Sequence, residues 1–254
     1  MLIKAAINGM RTRGEHPLIP ITPNHQAMEA KAAVEAGAGA IHVHICGRDG
    51  QESLKPDDIA RSLEAIRSSC PDVPIGISTG AWIVPDLKKR LSLIKSWEKL
   101  PDFASVNMHE EGALQVAKLL LDRGVGVEAG ICDGQDAKIF VRSDIANKCL
   151  RVLIELAEES MPAALTTLEL IEAVLNHVKL PRLLHGENVT AWELIKVAVA
   201  KGYDTRIGFE DVLTLPDGTY ADGNASLIAV ACQIAALDAV DLLNHYEGER
   251  NDST

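Results

Sequence analysis

His42-Val43-His44 is the first group in this chain with a metal-binding spacing. It closes a short run of small and β-branched residues and reads as the end of a strand. Strand side chains alternate, so both imidazoles point to one side. Neutral imidazole suits zinc or a similar divalent ion. A bare His-x-His also fits one core histidine beside one rim histidine. Glu210-Asp211 ends a second run, TRIGFEDVL at 205–213. Arg206 lies four residues before Glu210, hence on the same side of that strand. Charges inside a fold are costly unless paired, so an inward Arg and Glu mark an ion pair or a site. A Glu-Asp pair just past a strand end also fits plain surface. If the sheet closes on itself, Glu210 joins His42 and His44 as a two-histidine, one-carboxylate set with open positions for water and substrate.

Weaker signals sit at other strand ends. Ser78-Thr79-Gly80 offers hydroxyls and backbone N–H groups that could hold a carboxylate or an enolate oxygen, or form an ordinary turn. Ser105 and Asn107 face the same way. Glu128 and Glu155 are candidate bases or partners for Arg206. His185 is a candidate pocket residue or a structural histidine. His109 reads as a helix N-terminal residue, and His16, His25, His177 and His245 carry no specific signal.

The elements that must position these groups alternate between short β-branched runs and longer amphipathic ones, the pattern of parallel βα units. Strands are expected at about 3–8, 40–45, 73–78, 103–107, 125–131, 150–156, 180–185 and 205–209. Helices are expected from Pro23 to near Gly37, from Pro56, from about Pro85, up to Gly124, at 136–146, at 167–178, from Thr190, and from Asn224 to about Asn244. Thr190 with Glu193 has the spacing of a capping box. Eight rounds in this length imply a single (β/α)₈ TIM barrel over 1–246, with a polar tail at 247–254. A doubly wound sheet would place GxGxxG after its first strand, and here that turn reads Asn8-Gly9-Met10-Arg11.

Composition narrows the function classes. Of 254 residues 47% are hydrophobic and only 4% aromatic, so a core of Ala, Val, Leu and Ile is expected. The net charge of −11 disfavours nucleic acid and anionic membrane as partners. Five cysteines without CxxC spacing (Cys46, Cys70, Cys132, Cys149, Cys232), and an N-terminus without a signal-peptide pattern, place the expected protein in the cytoplasm.

Several segments together resemble the β-keto acid cleavage enzyme family, of the 3-keto-5-aminohexanoate cleavage enzyme type. They are AAINGM at the start, LIPITP at 18–23, EAGAGAIHVHI followed by RDG, ISTG at 77–80, ASVNM at 104–108, VGVEAGICD at 125–133, TRIGFEDVL and ADGNASLI. Residues 134–189 match least and are shorter than is typical, which bears on the surface that would bind CoA. The resemblance implies a (β/α)₈ barrel, a divalent metal, usually Zn²⁺, on His42, His44 and Glu210, and a homo-oligomer. The implied reaction is a Claisen-type exchange in which a β-keto acid and acetyl-CoA give acetoacetate and a new acyl-CoA. It implies Asp211 as the base, assisted by Arg206 and Ser78. A carboxylate beside Arg⁺ stays ionised and can accept a proton.

This chain departs from the family at three places. An acid that often follows the first strand and holds a substrate amino group is replaced by the stretch Met10-Arg11-Thr12-Arg13. A cationic Arg11 suits an acidic substrate group and repels an amine. A family acid two residues after Glu128 is Gly130, and the Arg that commonly follows the histidine motif is Cys46, with Arg48 two residues on. The expected substrate-binding set is Thr79, Gly80, Ser105, Asn107 and Arg11. Rival readings are a CoA-independent metal-dependent aldolase or lyase, and a non-catalytic homologue that binds metal or a small acid. An amidohydrolase-type hydrolase would carry its His-x-His after the first strand and further histidines after the fifth and sixth.

Overall fold

The computed structural model describes residues 1–236. Eight parallel strands close into one barrel in chain order: β1 (Ile3–Ala6), β2 (Ala40–Val43), β3 (Ile75–Ser78), β4 (Phe103–Asn107), β5 (Gly126–Ile131), β6 (Arg151–Leu156), β7 (Arg182–Gly186) and β8 (Asp204–Ile207). The helices between them are α1 (Pro23–Glu35), α2 (Pro56–Ser69), α3 (Leu87–Lys95), α4 (Ala113–Asp122), α5 (Gly134–Val141), α6 (Met161–Val174), α7 (Ala191–Lys201) and α8 (Asn224–Ala235). The expected single TIM barrel is therefore the observed fold. The expected end of the last helix near Asn244, and the boundary between residues 246 and 247, lie outside the described residues.

Three helix starts differ from the sequence reading, each for a local reason. Helix α5 begins two residues early because Asp133 caps it, its carboxylate accepting from the Gln135 and Asp136 amides. Helix α6 begins at Met161, six residues before the expected 167, with Ser160 at the N-cap and Pro162 in the first turn. The expected Thr190–Glu193 capping box does not form. A 3₁₀ turn over Asn188–Thr190 precedes α7, the Thr190 hydroxyl donates to the Glu187 carbonyl, and Glu193 pairs instead with Lys196.

The aliphatic core lies between the strands and the helices, where Ile41, Val43, Ile75, Ile77, Val127, Ile154 and Ile207 are fully buried. The lumen differs from the expected Ala/Val/Leu/Ile layers, because it is charged. Lys4, in register with Arg206 on β8, donates to Glu128 at 2.5 Å, and Arg151 lies 3.3 Å from the same carboxylate and 2.9 Å from Asp204. Glycine permits close approach elsewhere in the barrel wall. A Cβ at Gly76 would overlap the Phe103 ring, and one at Gly208 would lie 2.0 Å from the Ala6 carbonyl oxygen. Glu128 is thus the partner of Lys4 and not of Arg206. Glu128→Ala strands a buried ammonium, and is expected to cost about 3–5 kcal/mol of stability in a denaturant titration.

Candidate active site

The two histidines reach the C-terminal mouth of the barrel by different means. His42 is a strand residue, paired in register with Ala6 and Gly76. His44 lies just past the end of β2 and is held by Asn8, whose side chain brackets its backbone: the His44 amide donates to Asn8 Oδ1 at 2.9 Å, and Asn8 Nδ2 donates to the His44 carbonyl at 2.8 Å. Gln26 adds a bond to that carbonyl at 3.0 Å. Glu210 lies directly over Gly9, which has φ +59° and would place a Cβ 2.5 Å from Glu210 Cγ. Gly9 thus permits both the turn after β1 and the approach of the carboxylate.

The three side chains converge. Glu210 Oε2 lies 3.7 Å from His42 Nε2, and Oε1 lies 3.4 Å from His44 Nε2. One ligand atom from each of the three falls within 4.8 Å of the others. Glu210 Oε2 is buried without a hydrogen-bond partner. Nitrogen and carboxylate donors at this spacing, with one oxygen unspent, fit a divalent cation. A second group among the described residues, His109, Cys132 and Asp136, also meets that spacing. There Asp136 is already committed, accepting from the Cys132 amide and lying 3.1 Å from His109 Nδ1.

Burial and charge set opposite protonation preferences in the pair. Burial holds the His42 imidazole well below its usual range, so its lone pair is free. Burial pushes His44 the same way, but Glu210 and Glu52 outweigh it and raise that imidazole to about 9. Burial also opposes ionisation of Glu210, yet Arg206 and the two histidines hold it well below the usual carboxylate range. His44 gains its partners on folding and is raised from 6.5, so the metal-free protein draws stability from its protonated form. That stability is fully present below pH 6.5 and is lost as pH rises to about 9. A fall in the melting temperature of the metal-free protein over that window is the expected result.

Behind the triad lies a carboxylate–guanidinium cluster. Arg206 Nη2 donates to Glu210 at 2.8 Å and to Asp211 Oδ1 at 2.7 Å, and Nε donates to the same Asp211 oxygen at 3.1 Å. His185 bridges two acids, with Nδ1 at 3.4 Å from Asp211 and Nε2 at 3.4 Å from Glu155. Asp211 is fully buried, and its Oδ2 has no hydrogen-bond partner.

A cavity of about 460 Å³ opens over the triad. His42, His44, Glu210, Arg206, Ser78, Ser105, Asn107 and Arg11 line it, as their positions at strand ends suggested. Thr79, Gly80 and Asp211 are not brought to its wall; Asp211 lies behind Arg206, fully buried. The Thr79 hydroxyl turns away and donates to the Ser105 carbonyl at 2.7 Å, and the Trp82 ring covers Gly80. Arg11 reaches the cavity, but much of its hydrogen-bonding capacity is spent. It donates to the Glu210 carbonyl and to Asn188 Oδ1, and pairs with Glu15 at 3.4 Å. The charge left for a substrate acid is smaller than the sequence suggests.

The Gly130 departure has a steric meaning. A Cβ there would lie 2.5 Å from Asn107 Oδ1 and 2.6 Å from Glu155 Oε1. The neighbouring strand therefore brings a carboxylate over the backbone where the side chain is missing. Burial works against ionisation of Glu155, but His185 and Arg206 overcome it and keep its carboxyl low. Glu15, Glu52, Trp82, Cys132 and Glu187, none singled out in the sequence, also line the cavity. Burial, with Asp211 nearby, raises the Glu187 carboxyl. Glu15, Glu52, Trp82 and Glu187 sit on loops whose paths follow no period, so spacing carried no signal for them. Among them only Trp82, an aromatic just after a strand end in an aromatic-poor chain, offered a signal by type.

A family model for the beta-keto acid cleavage enzymes matches residues 1–243. The chain belongs to the β-keto acid cleavage enzyme family. Members of that family cleave β-keto acids, and in this member His42, His44 and Glu210 form a group that could hold a metal ion. The 3-keto-5-aminohexanoate cleavage enzyme of Fusobacterium nucleatum subsp. nucleatum is 26% identical over 253 residues, covering 92% of this chain and 91% of that one. A 3-oxoadipate:acetyl-CoA acetyltransferase of Cupriavidus necator is 40% identical over 80 residues, covering 31% of this chain and 28% of its own. Among solved structures, ObcA in a binary complex with oxaloacetate superposes with a TM-score of 0.64 at 18% identity, covering 85% of this chain. That likeness shows the shared fold, and the chain spans 63% of the length of that structure. No helix of the described residues is long and apolar enough to cross a membrane.

Proposed function

We propose that this family member catalyses a metal-dependent exchange between a small β-keto acid and acetyl-CoA, giving acetoacetate and a new acyl-CoA. The observation that carries the reading is the approach of two imidazoles and one carboxylate, from strand ends far apart in sequence, to within 4.8 Å of one another beside a buried Arg–Asp pair. His42, His44 and Glu210 would hold the divalent cation, Zn²⁺ being the ion that suits this donor set. When bound there, it supplies Lewis-acid polarisation of the keto acid, which makes the CH₂ between its two carbonyl carbons more acidic.

The chain's own residues carry the other tasks. Asp211 is the proposed proton acceptor for that CH₂. Arg206, through its two bonds to Asp211 Oδ1, holds the carboxylate in place behind the cavity wall and leaves the buried Oδ2 without a partner, the oxygen that would take the proton once the substrate reaches it. The carbanion then attacks the thioester carbonyl of acetyl-CoA and forms a carbon–carbon bond as the CoA thiolate leaves. Thiolate attack on the original keto carbon breaks the older carbon–carbon bond, and the departing carbanion takes back the proton held by Asp211, so acyl-CoA and acetoacetate account for every atom. The Ser78 hydroxyl, beside Ser105 on the neighbouring strand and with Asn107 further along it, would donate to developing oxyanions. The relatives whose names print a β-keto acid substrate or an acetyl-CoA partner support both halves of the reaction.

The test is a screen of β-keto acids with and without acetyl-CoA, following free acetoacetate and CoA thioesters. The expected result is acetoacetate that appears only with acetyl-CoA. Cleavage without CoA would replace the exchange by a lyase reaction, and no turnover of any keto acid would leave a binding protein.

A further inference from the structure

Glu52 connects the candidate metal site to the mouth of the cavity. It lies eight residues after His44, in a loop whose backbone is pinned independently of its side chain: Cys46 and Glu52 form an antiparallel bridge, Gly47 donates to the Gln51 carbonyl at 2.7 Å, and Ser53 donates to the Ile45 carbonyl at 2.8 Å. The carboxylate spans two partners. Oε1 lies 2.6 Å from His44 Nδ1, and Oε2 accepts from the Trp82 indole N–H at 2.8 Å. Trp82 stacks on the His44 ring, with centroids 6.2 Å apart and planes at 22°. Its six-membered ring seals the backbone at Gly80, where a Cβ would come within 2.3 Å. Yet Trp82 remains 43% exposed and lines the cavity mouth.

The chemistry of this arrangement follows from the imidazole. A carboxylate at Nδ1 fixes a hydrogen there, so that once a cation displaces the Nε2 proton the lone pair faces Glu210, the side on which that cation would bind. The same bond restrains ring rotation and makes Nε2 a stronger donor. The second oxygen is held by Trp82, so the carboxylate cannot swing away from His44 without breaking the indole bond. The stacked indole blocks the other path of ring movement. Among the groups that hold His44, Glu52 is the only described residue that touches its Nδ1 within hydrogen-bond distance.

We infer that Glu52 and Trp82 are positioning residues that set the affinity of the His42–His44–Glu210 site for its cation and couple its loading to the indole at the cavity mouth. This inference rests on the metal-site reading above. In one protein it makes the first histidine brace and the wall of the substrate entrance the same object.

The experiment is titration of metal-free full-length protein with Zn²⁺ against a chromophoric chelator, with tryptophan emission followed in parallel. The wild type is expected to bind one equivalent and to change its emission as it does. Glu52→Gln and Glu52→Ala are expected to bind about 10–100-fold more weakly, as removal of a carboxylate behind a metal-bound histidine does elsewhere. Their melting temperatures without metal should fall only by the loss of the carboxylate's bonds to His44 and Trp82, because the loop's backbone bonds do not involve it. Trp82→Phe keeps a ring over His44 but loses the N–H. It is expected to weaken binding in the same direction by a smaller factor and to abolish the metal-induced emission change, since Trp97 and Trp192 lie buried elsewhere. Wild-type affinity in both Glu52 variants, or an unchanged emission response in Trp82→Phe, would overturn the inference while leaving the metal site intact. No Zn²⁺ binding by the wild type would overturn the metal-site reading itself.

Discussion

Replacing Glu210 by Gln is expected to abolish metal retention and, with it, all turnover of β-keto acids. Gln keeps the volume and one oxygen, so the fold around Gly9 has no steric reason to change. What it removes is the negative charge. In the wild type that charge faces His42 at 3.7 Å, His44 at 3.4 Å and Arg206 at 2.8 Å. Three nitrogen-bearing neighbours then surround a neutral amide, and a cation brought among them meets only repulsion or neutral donors. The affinity loss should exceed the roughly 10–100-fold that an outer partner causes. Metal content after dialysis, measured on the folded variant, checks the first part. Initial rates with added metal check the second. A variant that kept stoichiometric metal would remove Glu210 from the ligand set.

Asp211→Asn should separate binding from chemistry. Asp211 does not belong to the metal triad, and its Oδ1 is fastened by two Arg206 bonds. Asn can accept the same bonds through its amide oxygen, so Arg206 stays in place and metal content should equal that of wild type. The amide cannot take up a proton from the substrate, and loss of a positioned base costs about 10²–10⁴-fold in rate. Exchange of the substrate CH₂ hydrogens with deuterated solvent, followed by NMR, reports the proton step without requiring acetyl-CoA. It should be present in wild type and lost in the variant. Normal exchange by Asp211→Asn would move the base to another acid, and Glu155, which lines the cavity beside His185, is the first alternative.

These two substitutions act on neighbouring residues with different surroundings, and the difference is tertiary. Glu210 faces the mouth over Gly9. Asp211, one residue on, turns into the cluster of Arg206 and His185. The same contrast separates Glu128 from Glu155. Both are strand residues, and both were candidates for a base. The register of β5 against β4 and β6 buries Glu128 on Lys4 and Arg151, whereas Glu155 rises to the cavity because Gly130 leaves its path open.

The alternation of β-branched and amphipathic runs determined the barrel and the strand order, because each periodicity follows from local backbone geometry and needs no knowledge of neighbours. Parity along a strand likewise placed Ser105 with Asn107, whereas His44 and Glu210 lie past the ends of β2 and β8 and meet His42 and Arg206 through the turns that follow. Periodicity stops where the backbone leaves a strand or helix. The sequence therefore held no sign that Glu52 would fold back on His44, that Trp82 would cover Gly80, that Glu187 would line the cavity, or that Arg11 would spend its bonds on Glu15, Asn188 and backbone carbonyls. Nor did it show that the lumen would hold ion pairs in place of aliphatic layers. That outcome depends on Lys4 of β1, Glu128 of β5 and Arg151 of β6 meeting inside the closed barrel. Only closure of the sheet decides which residues meet across it, since those distances are set by through-space packing between strands up to two hundred residues apart.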